Sequence, residues 1–420
     1  MKRIKYLISS IIAVTIAISM PVSIGVITSL TFTSCGDKDS VIIIPNWETT
    51  PYEFPLKVDG RPWFPTELNI PADNPTTVEG VKLGRYLFYD GRLSGRVECD
   101  SQMTCATCHR QESSFEVGMD EPRFPGGKTR GLPHPAYPDG KWTPHYMMPM
   151  INLVFNQNGY LWNGKVNNNN TAMGAAPYGV PAEPQYHMKN IESVVWMGIA
   201  APHEMNGSPQ KTVDMIKSID IYPPMFKAAF GTEEVTYDRI SKAVAQFVRT
   251  LVSYNSKFHK WVRHTASLTP QELHGYELYM SEAADCFHCH GDPVLLTTNQ
   301  FYNNGLDTVF NDGGDRNGYT KLAMDVGSYK APTLINIEKT APYMHDGRFN
   351  TLEEVIDHYS DGVVYSQTID PLMKYVAFGG TKLTEQEKAD LLAFLKTFTD
   401  TDFLTNPEFA KPADLDTGCD

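Results

Sequence analysis

From Val78 the stretch "VEGVKLGRYLFYDGRLSG" sets apolar side chains at Val81, Leu83, Leu87 and Phe88. That helical spacing predicts a helix closed by Asp90-Gly91. A second stretch, "TPQELHGYELYMSEAADC" from Thr269, matches the first as Gly275-x-x-Leu278-Tyr279 against Gly84-x-x-Leu87-Phe88. Two amphipathic stretches follow at a distance, "ISKAVAQFVRTLVS" from Ile240 and "EKADLLAFLKTFTD" from Glu387. They align as Phe247-Val248-Arg249-Thr250-Leu251 against Phe394-Leu395-Lys396-Thr397-Phe398. The later one opens on Thr384-Glu-Gln-Glu387, a capping box that satisfies free backbone N–H groups. One helical plan is therefore written twice. It predicts an all-α fold of two tandem domains, 66–265 and 266–420, divided within "RHTASLTP".

Long irregular loops interrupt the plan. "RFPGGKTRGLPHPAYPDGKWTPHYMM" and "NGKVNNNNTAMGAAPYGVPAEPQ" are dense in Gly, Pro and Asn. Loops of that length are often functional, so they are expected to cover a site or face a partner. At the start, Lys2, Arg3 and Lys5 precede an apolar run ending in "FTSC", which makes residues 1–35 an export signal. Cys35 is placed for lipidation, with Phe32 where Leu is usual; the alternative is an uncleaved anchor from Leu7 to Leu30. Both put the rest of the chain outside the cytoplasm, in the periplasm or at the outer membrane. Residues 36–65 read as a Pro-rich tether.

A chain of 420 residues has room for two or three cores. Its net charge of −13 argues against nucleic acid as a partner, since that needs a clustered basic face. An acidic exterior suits a small basic or neutral partner, or is simply a solvated surface.

The chemistry lies in the cysteines. "CFHCH" holds Cys286, Cys289 and His290, and "CATCH" holds Cys105, Cys108 and His109 with the same spacing, 181 residues earlier. Zinc ribbons pair two C-x-x-C units roughly 15–20 residues apart. C-x-x-C-H is instead the attachment pattern of haem c, with two thioether links and a histidine on the iron. Two covalently bound haems are expected, with His288 a bystander. Attachment of haem c outside the cytoplasm agrees with the export signal. Of seven cysteines, Cys99 and Cys419 remain. An oxidising compartment permits a disulfide. Their positions, a loop before the first motif and the penultimate residue, weigh against it.

These motifs, with "IPADNPTTVEGVKLGRYLFYDGRLS", "NLVFNQNGYLWNGKV", "APHEMNG", "YPPMFKAAFG" and "KAPTLINIEKTAPYMHDGRFNTLEEVIDHY", make the chain resemble the bacterial dihaem cytochrome c peroxidases and their relative MauG. The resemblance covers nearly everything after the tether. It implies two cytochrome c-like domains and reduction of hydrogen peroxide to water at the haem on His109. Electrons would arrive from a small cytochrome- or cupredoxin-type donor through the haem on His290. Glu204 matches the family's distal carboxylate, and Trp162 the tryptophan between the haems. Fourteen residues after His345, where the peroxidases have Met and MauG has Tyr, stands Tyr359 as the implied sixth ligand, with Met344 and Met373 as rivals. Thr340 and Pro342 match carbonyl ligands of an interdomain calcium ion, but the completing Asn is not found near "TPHYMMPM". Val194 stands where a distal Gln often accompanies the carboxylate. His134 and His145 fall where reductively activated members keep a blocking histidine, without the expected context. Dimers are common in the family. The alternatives are a MauG-like oxidase acting on a partner protein or organic substrate, and a non-catalytic dihaem electron carrier.

Overall fold

The computed structural model describes residues 48–121, 123–129, 131, 145–166, 190–311 and 313–419. The stretch read as an export signal with Cys35, and also His134 and the Asn-run loop, lie outside the described residues. Residues 44–420 hold together as one unit of contacts.

The fold is mostly helical. The order is α1 (Val78–Tyr89), α2 (Cys105–Cys108), α3 (Asn190–Ala200), α4 (Pro209–Lys217), α5 (Tyr222–Phe230), α6 (Tyr237–Arg249) and α7 (Lys257–Val262). There follow α8 (Pro270–Tyr279), α9 (Phe287–His290), α10 (Arg316–Thr320), α11 (Leu352–Asp357), α12 (Glu385–Lys396) and α13 (Thr401–Leu404). Strands among the described residues are two antiparallel pairs, β1 (Lys57–Val58) with β2 (Arg61–Pro62) and β3 (Phe301–Tyr302) with β4 (Tyr329–Lys330). In the second pair Phe301 faces Lys330 and Tyr302 faces Tyr329.

The repeated plan has a physical basis. Helix α1 packs on α6, and α8 packs on α12. Each crossing runs over a glycine. A Cβ on Gly84 would lie 1.9 Å from the Ala243 carbonyl oxygen, and one on Gly275 would lie 2.1 Å from that of Asp390. Both crossings bring helix backbones closer than any side chain permits. One turn on, the rings of Phe88 and Phe247 meet edge-on at 5.3 Å and 65°, and those of Tyr279 and Phe394 at 5.3 Å and 65°. Helix α12 starts on the Thr384–Glu387 capping box, and α8 on a like box between Thr269 and Glu272.

A further repeat, written as Ile151-Asn152-Leu153 against Ile335-Asn336-Ile337, shows its purpose only in the fold. Asn152 and Asn336 both sit at positive φ, 59° and 62°. The Asn152 N–H donates to Leu251 O (2.8 Å), while its side-chain oxygen accepts from Ser253 N (3.0 Å). The Asn336 N–H donates to Phe398 O (3.0 Å), and its side-chain oxygen accepts from Asp400 N (2.7 Å). Each asparagine thus clamps a loop to the chain leaving the closing helix. Each loop then makes one tight turn, closed by the bridges Tyr160–Val166 and Tyr343–Phe349. Trp162 and His345 occupy the same position in those turns.

A buried ion pair between Glu192 of α3 and Arg249 of α6 joins these helices, with Asn74 donating to Glu192 at 2.6 Å. Removing one partner of such a pair costs about 3–5 kcal/mol, because it strands a buried charge. Part of the stretch read as a tether lies on the body. Phe64 stacks on Phe155 at 4.5 Å, and Phe54, Leu56 and Trp63 pack against the same small cluster.

The C-terminus returns along α1. Arg85 donates to Ala410 O (2.8 Å), Tyr89 to Phe409 O (2.6 Å) and Arg92 to Asp416 O (2.8 Å). This strap brings Cys419 to Cys99, and the two form a disulfide with Cα atoms 5.4 Å apart. The sequence weighed against that pairing. The strap's contacts with α1 close a separation of 320 residues that chain position alone does not reveal.

Candidate active site

Two cavities among the described residues hold the C-x-x-C-H motifs. The larger, about 510 Å³, is lined by Phe88, Cys105, Cys108 and His109 on one side and by α3 and the turn after it on the other. Helix α2 is a single turn closed by a capping box between Thr104 and Thr107, which sets Cys105 and Cys108 on one face. The smaller, about 220 Å³, is lined by Cys286, Cys289 and His290.

The two histidines are held alike. His109 Nδ1 lies 2.8 Å from Phe115 O and His290 Nδ1 lies 3.3 Å from Leu296 O, in both cases the carbonyl six residues later. A proton held on Nδ1 by a carbonyl leaves the Nε2 lone pair for a metal. Burial pushes both imidazoles down to about 4, so both are neutral, as ligation requires. Burial also pushes the Cys105, Cys286 and Cys289 thiols up to about 12, and Cys108 up further. None of the four is in a disulfide. Among the described residues the thiols and imidazole of neither motif converge on a common point as zinc ligands would. Each set instead spreads along a largely apolar cavity wall, which fits a planar cofactor with two thioether links and one axial nitrogen.

Glu204 reaches the larger cavity from the turn after α3. Its N–H donates to Ala201 O (3.0 Å), and Met205 N to Gly198 O (3.3 Å). The carboxylate lies against Gly198, where a Cβ would come within 2.8 Å of Oε2. The side chain is 37% accessible and lines the cavity. Burial pushes its carboxyl up to about 7, opposed by the charge of Lys165. His203 Nε2 is 3.5 Å from Oε1. Val194 lines the same cavity, apolar where an amide would be expected.

One wall is common to both cavities and carries Tyr146, Trp162 and Lys330. Trp162 Nε1 donates to Tyr146 O at 2.7 Å, and Lys330 N to Trp162 O at 2.8 Å. The Trp162 ring stands 6.5 Å from that of His345. His145 lines the larger cavity, His345 the smaller, and their Nδ1 atoms are 3.0 Å apart.

Tyr359 lies in a π-helical turn, His358–Gly362, directly after α11. Such turns are frequent at functional sites. Tyr359, Met344 and Met373 all line the smaller cavity. Asn304, which sequence reasoning missed, donates to the Tyr359 hydroxyl at 3.0 Å and approaches Met344 Sδ at 3.7 Å. Burial pushes the Tyr359 hydroxyl up to about 12, with Asn304 acting the other way. Thr340 and Pro342 line the same cavity, and Tyr146 Oη donates to the intervening Ala341 O at 3.2 Å. His288 pairs with Asp285 (3.1 Å) and Lys374 (3.0 Å), as a bystander would. Lys330 carried no signal either: a lysine in "SYKAPT" reads as surface until β4 buries it.

A family profile described as di-haem cytochrome c peroxidase matches residues 78–267. The chain is 29% identical over 335 residues to the methylamine utilization protein MauG of Methylorubrum extorquens, covering 79% of this chain and 82% of that one. It is 28% identical over 349 residues to the cytochrome c551 peroxidase of Nitrosomonas europaea, covering 82% and 85%. The crystal structure of a MauG-like protein associated with microbial copper homeostasis superposes with a TM-score of 0.65 at 30% identity, covering 83% of this chain and 98% of that one.

Proposed function

Because this chain belongs to the di-haem cytochrome c peroxidase and MauG family, we propose that it is a peroxidase taking H2O2 to two H2O with two electrons and two protons. In this reading residues 66–265 and 266–420 are two cytochrome c-like domains in tandem. Cys105, Cys108 and His109 hold one haem c, and Cys286, Cys289 and His290 the other. When bound, the haems supply an iron for peroxide and a store for electrons.

The observation that carries the reading is Glu204, a carboxyl at about 7 on the wall of the His109 cavity. A carboxyl with that affinity accepts the proton of the near peroxide oxygen and returns it to the far one, the role of a general acid–base group. Trp162, on the common wall, provides the path for electrons from the His290 side. The donor is a small cytochrome- or cupredoxin-type protein meeting an acidic exterior. The chain is exported and held at the periplasmic or outer-membrane surface through Cys35 or an uncleaved anchor. No helix among the described residues is long and apolar enough to cross a membrane. Thr340 and Pro342 are the residues that would offer carbonyls to a calcium ion.

The test is Glu204→Gln. A peroxidase loses turnover by about 10²-fold or more while keeping both haem spectra; a carrier keeps its redox behaviour and loses nothing. A specific observation favours the MauG-like reading as the second: Tyr359 lines the His290 cavity with Asn304 donating to its hydroxyl, which supports an oxygen ligand on that side. One equivalent of H2O2 added to the diferric protein separates the two. A long-lived absorbance change supports the oxidase, whereas silence until one electron is supplied supports the peroxidase.

A further inference from the structure

Lys330 is 4% exposed, lies in β4 and lines both cavities. Its ammonium stands over two aromatic faces, 5.6 Å from the Phe301 ring and 5.9 Å from that of Tyr160. No carboxylate among the described residues acts on it. The charge that does is the like charge of Arg316, whose guanidinium also lies over the Phe301 ring, at 3.7 Å. Burying an ammonium without an anion costs several kcal/mol. Burial and Arg316 accordingly push it down to about 7. Ring faces recover only part of that cost. Nor is the side chain free to leave, because its backbone is pinned twice: β4 pairs with β3, and Lys330 N donates to Trp162 O at 2.8 Å. A buried amine thus stands at the wall both cavities have in common, with aromatic faces but no carboxylate partner among the described residues.

We propose that Lys330 is a positioning residue whose ammonium is the countercharge for the peripheral carboxylates of both cofactors, holding the two against one wall and raising both their reduction potentials. The inference rests on the two-haem reading. Each haem c carries two carboxylates, so bound cofactors supply the anion that the protein withholds. A cation held there favours the less positive, reduced state of either iron. The same residue also sets the backbone of Trp162, so the electron path and the countercharge share one strand.

The experiment uses the holoprotein. Pyridine haemochrome analysis of the wild type first counts two haem c per chain; fewer would overturn the two-haem reading and this proposal with it, whereas with two counted the titration that follows tests the countercharge alone. Spectroelectrochemical titration then compares wild type, Lys330→Met and Lys330→Arg. The expected result is a loss of about tenfold in the reduction equilibrium of both haems in Lys330→Met, equivalent to 59 mV for one electron. Lys330→Arg is expected to restore most of it. Potentials unchanged in Lys330→Met, or lowered equally in Lys330→Arg, would overturn the proposal. Should Lys330→Met fail to take up haem, resonance Raman spectra of wild type and Lys330→Arg decide. Propionate bending bands that move for both haems support the countercharge, and bands that stay in place exclude it.

Discussion

The indole N–H of Trp162 donates to the backbone carbonyl oxygen of Tyr146 at 2.7 Å, and both residues line both cavities. A carbonyl holds that proton without being able to accept it. The indole is therefore fixed in the wall as a protonated, oxidisable ring. Trp162→Phe is expected to keep both haems and slow electron transfer between them at least tenfold, read by stopped-flow absorbance of half-reduced protein mixed with peroxide. Transfer at the wild-type rate would remove Trp162 from the path.

Glu204 predicts the pH profile. Burial penalises the carboxylate, so the group keeps its proton up to about 7. The form that accepts a proton from peroxide therefore grows as pH rises through about 7 and disappears below it. The second-order rate with H2O2 should climb about tenfold per pH unit below that point and level above it. In Glu204→Gln that limb should vanish. A profile flat from pH 5 to 8 in the wild type would contradict the assignment.

Asn304 and Tyr359 form the third test. Tyr359→Phe should alter the absorbance and EPR spectra of the haem on His290 and leave those of the haem on His109 unchanged. Asn304→Ala, which removes the donor 3.0 Å from the hydroxyl, should shift the same spectrum to a smaller degree. If Met344→Ala or Met373→Ala changes that spectrum and Tyr359→Phe does not, a thioether is the ligand.

Gly84 and Gly275 predict stability. A methyl group at either would meet a backbone oxygen at about 2 Å, and a backbone oxygen cannot rotate away. Gly84→Ala and Gly275→Ala should each cost about 3 kcal/mol, at the upper end for overpacking. Thermal unfolding of the holoproteins measures this, and a loss under about 0.5 kcal/mol would mean that the helix pairs separate readily.

The Cys99–Cys419 disulfide ties the C-terminal strap to the loop before the first haem motif. Cys99→Ser should lower stability by about 2–4 kcal/mol through the freed chain. Limited proteolysis should then cut first within 405–419. Equal protease resistance with and without the bond would mean that the strap's hydrogen bonds to α1 suffice.

Some of this is legible in the sequence. A 3.6-residue apolar period, a glycine and an aromatic at matched spacing, and two C-x-x-C-H motifs are local patterns. Local patterns survive in one dimension because each reports on neighbours along the chain. From them came the leading and closing helices, the capping box at Thr384 and the cofactor class. The resemblance to a known family added Glu204, Trp162 and Tyr359, none of which its immediate sequence distinguishes from a surface or core residue.

The rest needed the folded chain, because it depends on segments distant in sequence. Cys419 meets Cys99 only through the strap on α1. The Asn152 and Asn336 clamps repeat one geometry whose hydrogen-bond partners, Ser253 and Asp400, lie far along the chain. Lys330 and the His145–His345 pair acquire meaning only where the two cavities meet, and Asn304 only beside Tyr359. The sequence alone determined which groups are the candidates to attach the cofactors, the Cys and His of two C-x-x-C-H motifs. The tertiary structure decided which charges and donors surround them, since burial and electrostatics are properties of space and not of order along the chain.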